Sequence, residues 1–177
     1  MSRRAEQVDL VVPVTDRDHQ RGSPDAPVTL VEYGDYQCPY CGKAYPIIQE
    51  VRKRMGKDLL FVFRNFPLSQ IHANAEHAAE AAEAAAAQDQ FWAMHDRLYE
   101  RQFALEDDNL LEYAADLGLD VPRFAADMEA GTYRDRVRDD FRGGVRSGVN
   151  GTPTFYINGV RHDGSWDLPG LLSALER

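Results

Sequence analysis

Apolar positions change period along this chain, and the changes divide it into elements. A polar stretch rich in Gly and Pro, Arg21 to Pro27, leads into the β-prone run Val28-Thr29-Leu30-Val31-Glu32-Tyr33, which reads as a buried strand. After Gly34-Asp35-Tyr36-Gln37 the period lengthens. Tyr45, Ile48, Val51, Arg52 and Met55 recur at helical spacing, and Gly56 offers a stop. A second β-prone run, Leu59 to Phe63, closes before Asn65-Phe66-Pro67. Strand, helix and strand in this order predict a βαβ unit with a parallel pair.

From Ile71 to about Val145 the pattern predicts helices and no strand. Ala73 to Ala87 is dense in alanine, with Glu76, Glu80 and Glu83 interleaved, a composition of high helix propensity. Further helices are expected over Gln90 to Gln102, Asp107 to Leu117, Pro122 to Ala130 and Tyr133 to Gly143, broken at Gly118, Pro122, Gly131 and Gly143-Gly144. The glutamates read as a solvated face. Period two then returns in Thr154 to Ile157 and Val160 to His162. Asn158-Gly159 between these runs is a strong hairpin signal, and Leu168 to Leu175 reads as a closing helix.

Composition narrows the function classes. At 177 residues with 44% hydrophobic content, the chain can bury one substantial core with an appended subdomain. A net charge of −9 repels phosphate backbones and anionic headgroups, so neither nucleic acid nor membrane is an expected partner. No apolar run approaches the roughly 20 residues that span a bilayer. Arg3 and Arg4 are not followed by the apolar stretch of a signal peptide, so the expected location is cytoplasmic, or exported if a signal has been removed.

Both cysteines of the chain lie in Cys38-Pro39-Tyr40-Cys41, straddling the predicted start of a helix. The attacking species in thiol chemistry is thiolate, and a helix N-terminus can lower a cysteine pKa from about 8.5 into roughly the 3.5–7.5 range. Cys38 is placed to attack a substrate disulfide, and Cys41, one turn inside, to resolve the mixed disulfide. Half of a zinc site is the competing reading. A closed structural site needs four ligands, no third cysteine exists, and the five histidines are scattered or, like His72 and His77, on different helix faces. No metal and no dissociable cofactor is expected.

With these motifs in place, the chain resembles the DsbA-like branch of the thioredoxin superfamily. The matching pieces are Val31-Glu32-Tyr33 ahead of Cys38-Pro39-Tyr40-Cys41, Pro46 within the following helix, and Gly151-Thr152-Pro153-Thr154-Phe155 before the hairpin. The alanine-rich segment with Phe91-Trp92-Ala93-Met94-His95-Asp96 is similar to DsbA-like domains fused to sodium/proton antiporters. The resemblance implies an α/β thioredoxin-like fold, residues 1–67 and 146–177, interrupted by an α-helical subdomain, residues 68–145. It also implies a cis Thr152-Pro153 bond against the sulfurs, with Thr152 and Pro153, like Pro39 and Tyr40, contacting substrate. Glu32 is implied as a buried acid below Cys41, with a raised pKa and a proton to relay.

Around the pair, Tyr36 and Tyr40 read equally as an apolar platform for substrate or as core. Pro46 should kink the helix. Asp35 should oppose thiolate formation, and His72, His77, His95 and Trp92 read as packing or surface. Exported DsbA-like proteins often carry His where this chain has Tyr40, so a less favoured thiolate and a weaker oxidant are expected, pointing towards reductase or isomerase work. Cys-Pro-Tyr-Cys is also typical of glutaredoxins. The 112 positions between Cys41 and Pro153 exceed what a minimal thioredoxin core needs. The expectation is a thiol–disulfide oxidoreductase acting on protein or peptide thiols and disulfides, with glutathione or a thioredoxin-type protein as candidate electron donors. The alternatives are a glutathione-dependent, glutaredoxin-like reductase and a thioredoxin-fold module that binds peptides or senses redox state without turnover.

Overall fold

Alternation in two adjacent strands builds the centre of the molecule. In a computed structural model that describes residues 7–177, β2 (Val28–Gly34) and β3 (Leu59–Asn65) pair in parallel, and α1 (Pro39–Met55) joins them. Leu30, Phe61 and Phe63 face the core beneath α1 and the helical block. Val31, Tyr33, Leu60 and Val62 face a second cluster with Phe66, Val149 and Tyr156. Because both faces are covered, β3 is buried along its whole length. The five-stranded sheet has the order β1-β3-β2-β4-β5, with β4 (Thr154–Ile157) and β5 (Val160–His162) forming the hairpin at one edge and α7 (Leu168–Leu175) packing on α1.

The opposite edge strand, β1 (His19–Gly22), was not expected. Its sequence, His-Gln-Arg-Gly, carries no apolar alternation, and it pairs antiparallel to β3. Its side chains fasten the helical block to the sheet. Both Nη atoms of Arg21 donate to the Asp96 carboxylate at 2.9 and 3.0 Å, and His19 stacks on Phe91 while its Nε2 meets Glu83 at 2.8 Å.

Five helices intervene between β3 and β4: α2 (Ala75–Ala86), α3 (Phe91–Glu100), α4 (Asp107–Asp116), α5 (Val121–Ala130) and α6 (Arg134–Arg146). The solvated glutamate face of α2 is corrected. Glu80 and Glu83 are buried, because His19, Asn65 and the arginines of α6 meet them there. The break expected at Gly143-Gly144 is also corrected, since α6 runs through both to Arg146. The glycines serve close approach: a Cβ on Gly144 would stand 2.7 Å from the Phe66 ring and 3.0 Å from Tyr33. Helix α1 likewise continues through Pro46.

Candidate active site

Cys38 occupies the N-cap of α1 in an extended conformation, Pro39 starts the helix, and Cys41 lies within its first turn. Proline suits this start because the first helical N–H has no partner within the helix. The first turn carries no acidic side chain, so the positive end of the helix dipole meets Cys38 undiminished. Cys38 is only 4% exposed and Cys41 fully buried, both as free thiols. Across the mouth, the Thr152-Pro153 bond is cis, and the Thr152 carbonyl lies 3.6 Å from the Cys38 sulfur.

This setting drives the two thiols apart. The Cys38 pKa is lowered to about 5, first by a hydrogen bond from the Cys41 side chain. Partial burial opposes the shift; the Thr152 hydroxyl and the N–H groups of Cys41 and Tyr40 reinforce it. That hydroxyl is buried, and among the described residues its oxygen meets no hydrogen-bond partner in bonding geometry, the Cys38 sulfur included. Cys41 is pushed well above its ordinary value by burial, then by its bond to Cys38 and the negative charges of Glu32 and Cys38. Hydrogen-bond donors at the helix start favour the Cys38 thiolate without an imidazole.

Strand alternation places Glu32 on the same face of β2 as Leu30, beneath α1, with Phe155 and Phe63 as its cross-strand neighbours. It is 3% exposed, and its Oε1 has no hydrogen-bond partner among the described residues. Burial, and secondarily the charge of Cys38, raise its pKa to about 8. Asp35, expected to oppose the thiolate, is instead a clamp. Its carboxylate accepts from the N–H of Gln37 at 2.7 Å and of Leu68 at 2.9 Å, and lies 2.7 Å from His72 Nδ1. His72 thus ties the active-site loop to the segment that leads into α2. Asp35 meets the two cysteines through its backbone: its N–H donates to the Cys41 sulfur at 3.5 Å and its carbonyl accepts from the Cys38 N–H at 3.1 Å.

The two tyrosines separate. Tyr36 is core, with its hydroxyl 2.9 Å from Nδ1 of the buried His95. Tyr40 is 59% exposed, with Lys43 over its ring, and Phe103, beyond α3, is 85% exposed. Next to Phe103, Gln102 supplies a contact the sequence pattern did not reveal: its Nε2 donates to the carbonyls of Tyr36 at 2.9 Å and Cys38 at 2.7 Å. Gly42 admits this side chain, because a Cβ there would collide with Gln102 Oε1. Beyond Pro153 a cavity of about 340 Å³ opens between the hairpin and the approach to α7, bordered by Phe155, Arg161, His162 and Trp166.

A low-pKa cysteine capping a helix, a buried partner one turn on and an acid beneath them define a thioredoxin-fold thiol site. A family model described as thioredoxin matches residues 14–177. The Na(+)/H(+) antiporter NhaA 1 of Mycobacterium sp. (strain KMS) is 48% identical over 170 residues, 94% of this chain. The chain spans 28% of that relative's length. A thioredoxin-like oxidoreductase from Silicibacter pomeroyi DSS-3 superimposes with a TM-score of 0.81 at 28% identity, covering 92% of each chain. Wolbachia pipientis alpha-DsbA1 shares the fold, with a TM-score of 0.78 at 21% identity over 94% of this chain and 92% of its own. The chain belongs to the thioredoxin family, with a helical insertion in a fold that it shares with DsbA-like proteins.

Proposed function

We propose that this chain exchanges disulfides with protein or peptide substrates through Cys38-Pro39-Tyr40-Cys41, with Cys38 as the nucleophile. The observation that carries the reading is the opposed pair of thiols: Cys38 at about 5 is thiolate at neutral pH, whereas Cys41 is held protonated. In the reducing direction, the Cys38 thiolate attacks a substrate disulfide and one substrate sulfur leaves with the electron pair. With Glu32 in its ionised form, the minor one at neutral pH given its pKa of about 8, Cys41 gives up its proton to it and attacks Cys38, releasing the second substrate thiol and closing the protein disulfide. In the oxidising direction the same steps reverse. A substrate thiolate opens the disulfide at Cys38, and Cys41 leaves and takes the proton from Glu32.

The low Cys38 pKa stabilises the reduced protein at neutral pH, which makes its disulfide a better oxidant and favours disulfide donation over the reductase role. Substrate would lie as an extended segment along Thr152-Pro153, over the exposed Tyr40 ring. Changing Cys38→Ser should abolish both insulin disulfide reduction and oxidation of a reduced dithiol peptide. If Cys38→Ser retained either activity, the assignment of Cys38 would fail; if wild type showed neither activity while still binding peptide, a non-enzymatic binding module would be the better reading.

A further inference from the structure

Glu32 lies between the sheet and α1 and is only 3% exposed, yet the cycle proposed above requires it to gain and lose a proton. Beside it lies a cavity of about 10 Å³, lined by Glu32, His95, Tyr45, Gln49, Arg52 and Phe61 among others. That volume suits one water, and such a water needs two to four polar partners. Glu32 brings a carboxylate oxygen with no partner among the described residues, and Gln49, also in the lining, is exposed on α1.

His95 supplies the fixed polar wall. Among the described residues the buried Tyr36 hydroxyl has His95 Nδ1 as its one hydrogen-bond partner, so we assign Nδ1 as the acceptor and the ring hydrogen to Nε2. The packing of Tyr36, Phe63, Phe91, Trp92 and Tyr99 around the imidazole fixes its plane. The charged groups around it are Arg21 and His19 from β1, Arg52 from α1, and Asp96, which pairs with Arg21. Burial first, and then the neighbouring Arg21, His19 and Arg52, hold His95 well below its ordinary pKa, so it remains a neutral donor and does not store the proton.

We propose that His95 is a positioning residue for proton transfer, holding a water in this cavity through which Glu32 exchanges protons with solvent between α1 and β1. This rests on the roles proposed above for Cys38, Cys41 and Glu32. In the resolving step the Cys41 S–H bond breaks, Glu32 receives the proton, and the Cys41 thiolate displaces the outgoing thiolate from Cys38. The Glu32 proton then passes to the cavity water and out, and the outgoing thiolate is protonated from bulk.

The test uses reduced protein and dithiobis(nitrobenzoate), whose two thionitrobenzoate releases separate the steps: the first reports attack by Cys38, the second attack by Cys41. His95→Leu should leave the first phase within about twofold of wild type, which also shows that the fold is kept. It should slow the second phase about tenfold and displace its pH midpoint, as expected when a proton route is lost. His95→Gln, which keeps a donor, should recover most of the second-phase rate. A second phase in His95→Leu with wild-type rate and pH profile would overturn the proposal. A wild-type first phase that follows an ordinary thiol titration would instead remove the nucleophile assignment beneath it.

Discussion

At the scale of single residues, the site depends on small donors aimed at one sulfur. Thr152 faces that sulfur with two groups of opposite sense: its carbonyl, an acceptor 3.6 Å away, meets the thiol form, while its side chain lowers the Cys38 pKa. Changing Thr152→Val removes the hydroxyl and keeps the branched shape. The Cys38 pKa should rise by about one unit, the equivalent of one hydrogen bond to a charged group. Absorbance of thiolate across a pH series checks this; an unchanged midpoint would mean that the hydroxyl does not reach the sulfur. Cys38, Cys41 and Glu32 were legible in the sequence because local rules place them: a three-residue spacing at a helix start, and strand alternation that turns Glu32 beneath α1. Asp35 was misread because proximity in sequence says nothing of its partners. Leu68 and His72, more than thirty positions on, claim its carboxylate.

At the scale of elements, the inserted helices buttress the thiol site. Tyr99 and His95 on α3, and Gln102 just beyond it, follow one helical stripe that faces the active-site loop, and Gln102 holds the carbonyls of Tyr36 and Cys38. Changing Gln102→Ala removes two hydrogen bonds and should lower stability by about 1–2 kcal/mol, read as a drop in Tm by calorimetry. No change in Tm would show that the loop is held without it. A similar close fit joins α6 to the sheet. Gly144→Ala places a methyl against Phe66 and Tyr33, and overpacking of this kind costs about 1–3 kcal/mol; chemical denaturation of the variant should show the loss, whereas wild-type stability would mean that the rings move aside freely. The helices themselves were readable from periodicity and turn residues. Their contacts were not, because an insertion's helical pattern records which face is apolar and leaves open which loop that face covers. The polar edge strand β1 was invisible for a related reason: it is held by pairing with β3 and by Arg21 and His19, not by burial of its own apolar side chains.

At the scale of the whole molecule, two buried groups link redox state to stability. Glu32 titrates at about 8 in the fold, against about 4.3 in an unfolded chain. A carboxyl whose pKa is raised on folding binds its proton more tightly in the native state. Its contribution therefore favours the fold below the unfolded value and is lost as pH rises from about 4.5 to about 8. Cys38 has the opposite sign. Its pKa is depressed in the reduced fold, so its contribution is absent at pH 5 and below and grows as pH rises from there towards the ordinary thiol range. The disulfide form has no Cys38 thiolate, so Glu32 acts there without that counterweight. Oxidised protein should lose stability between pH 5 and 8, and Glu32→Gln should flatten the decline, as followed by urea denaturation at each pH. An equal decline in Glu32→Gln would remove Glu32 as its source.

The account turns on the difference between the two thiols, and alkylation of the reduced protein by iodoacetamide from pH 4 to 9, mapped to each cysteine by mass spectrometry, measures it directly. Cys38 should react with a midpoint near the value of about 5 set by its surroundings, while Cys41 stays unmodified at neutral pH. A midpoint for Cys38 near the ordinary thiol value of about 8.5, or earlier modification of Cys41, would contradict it.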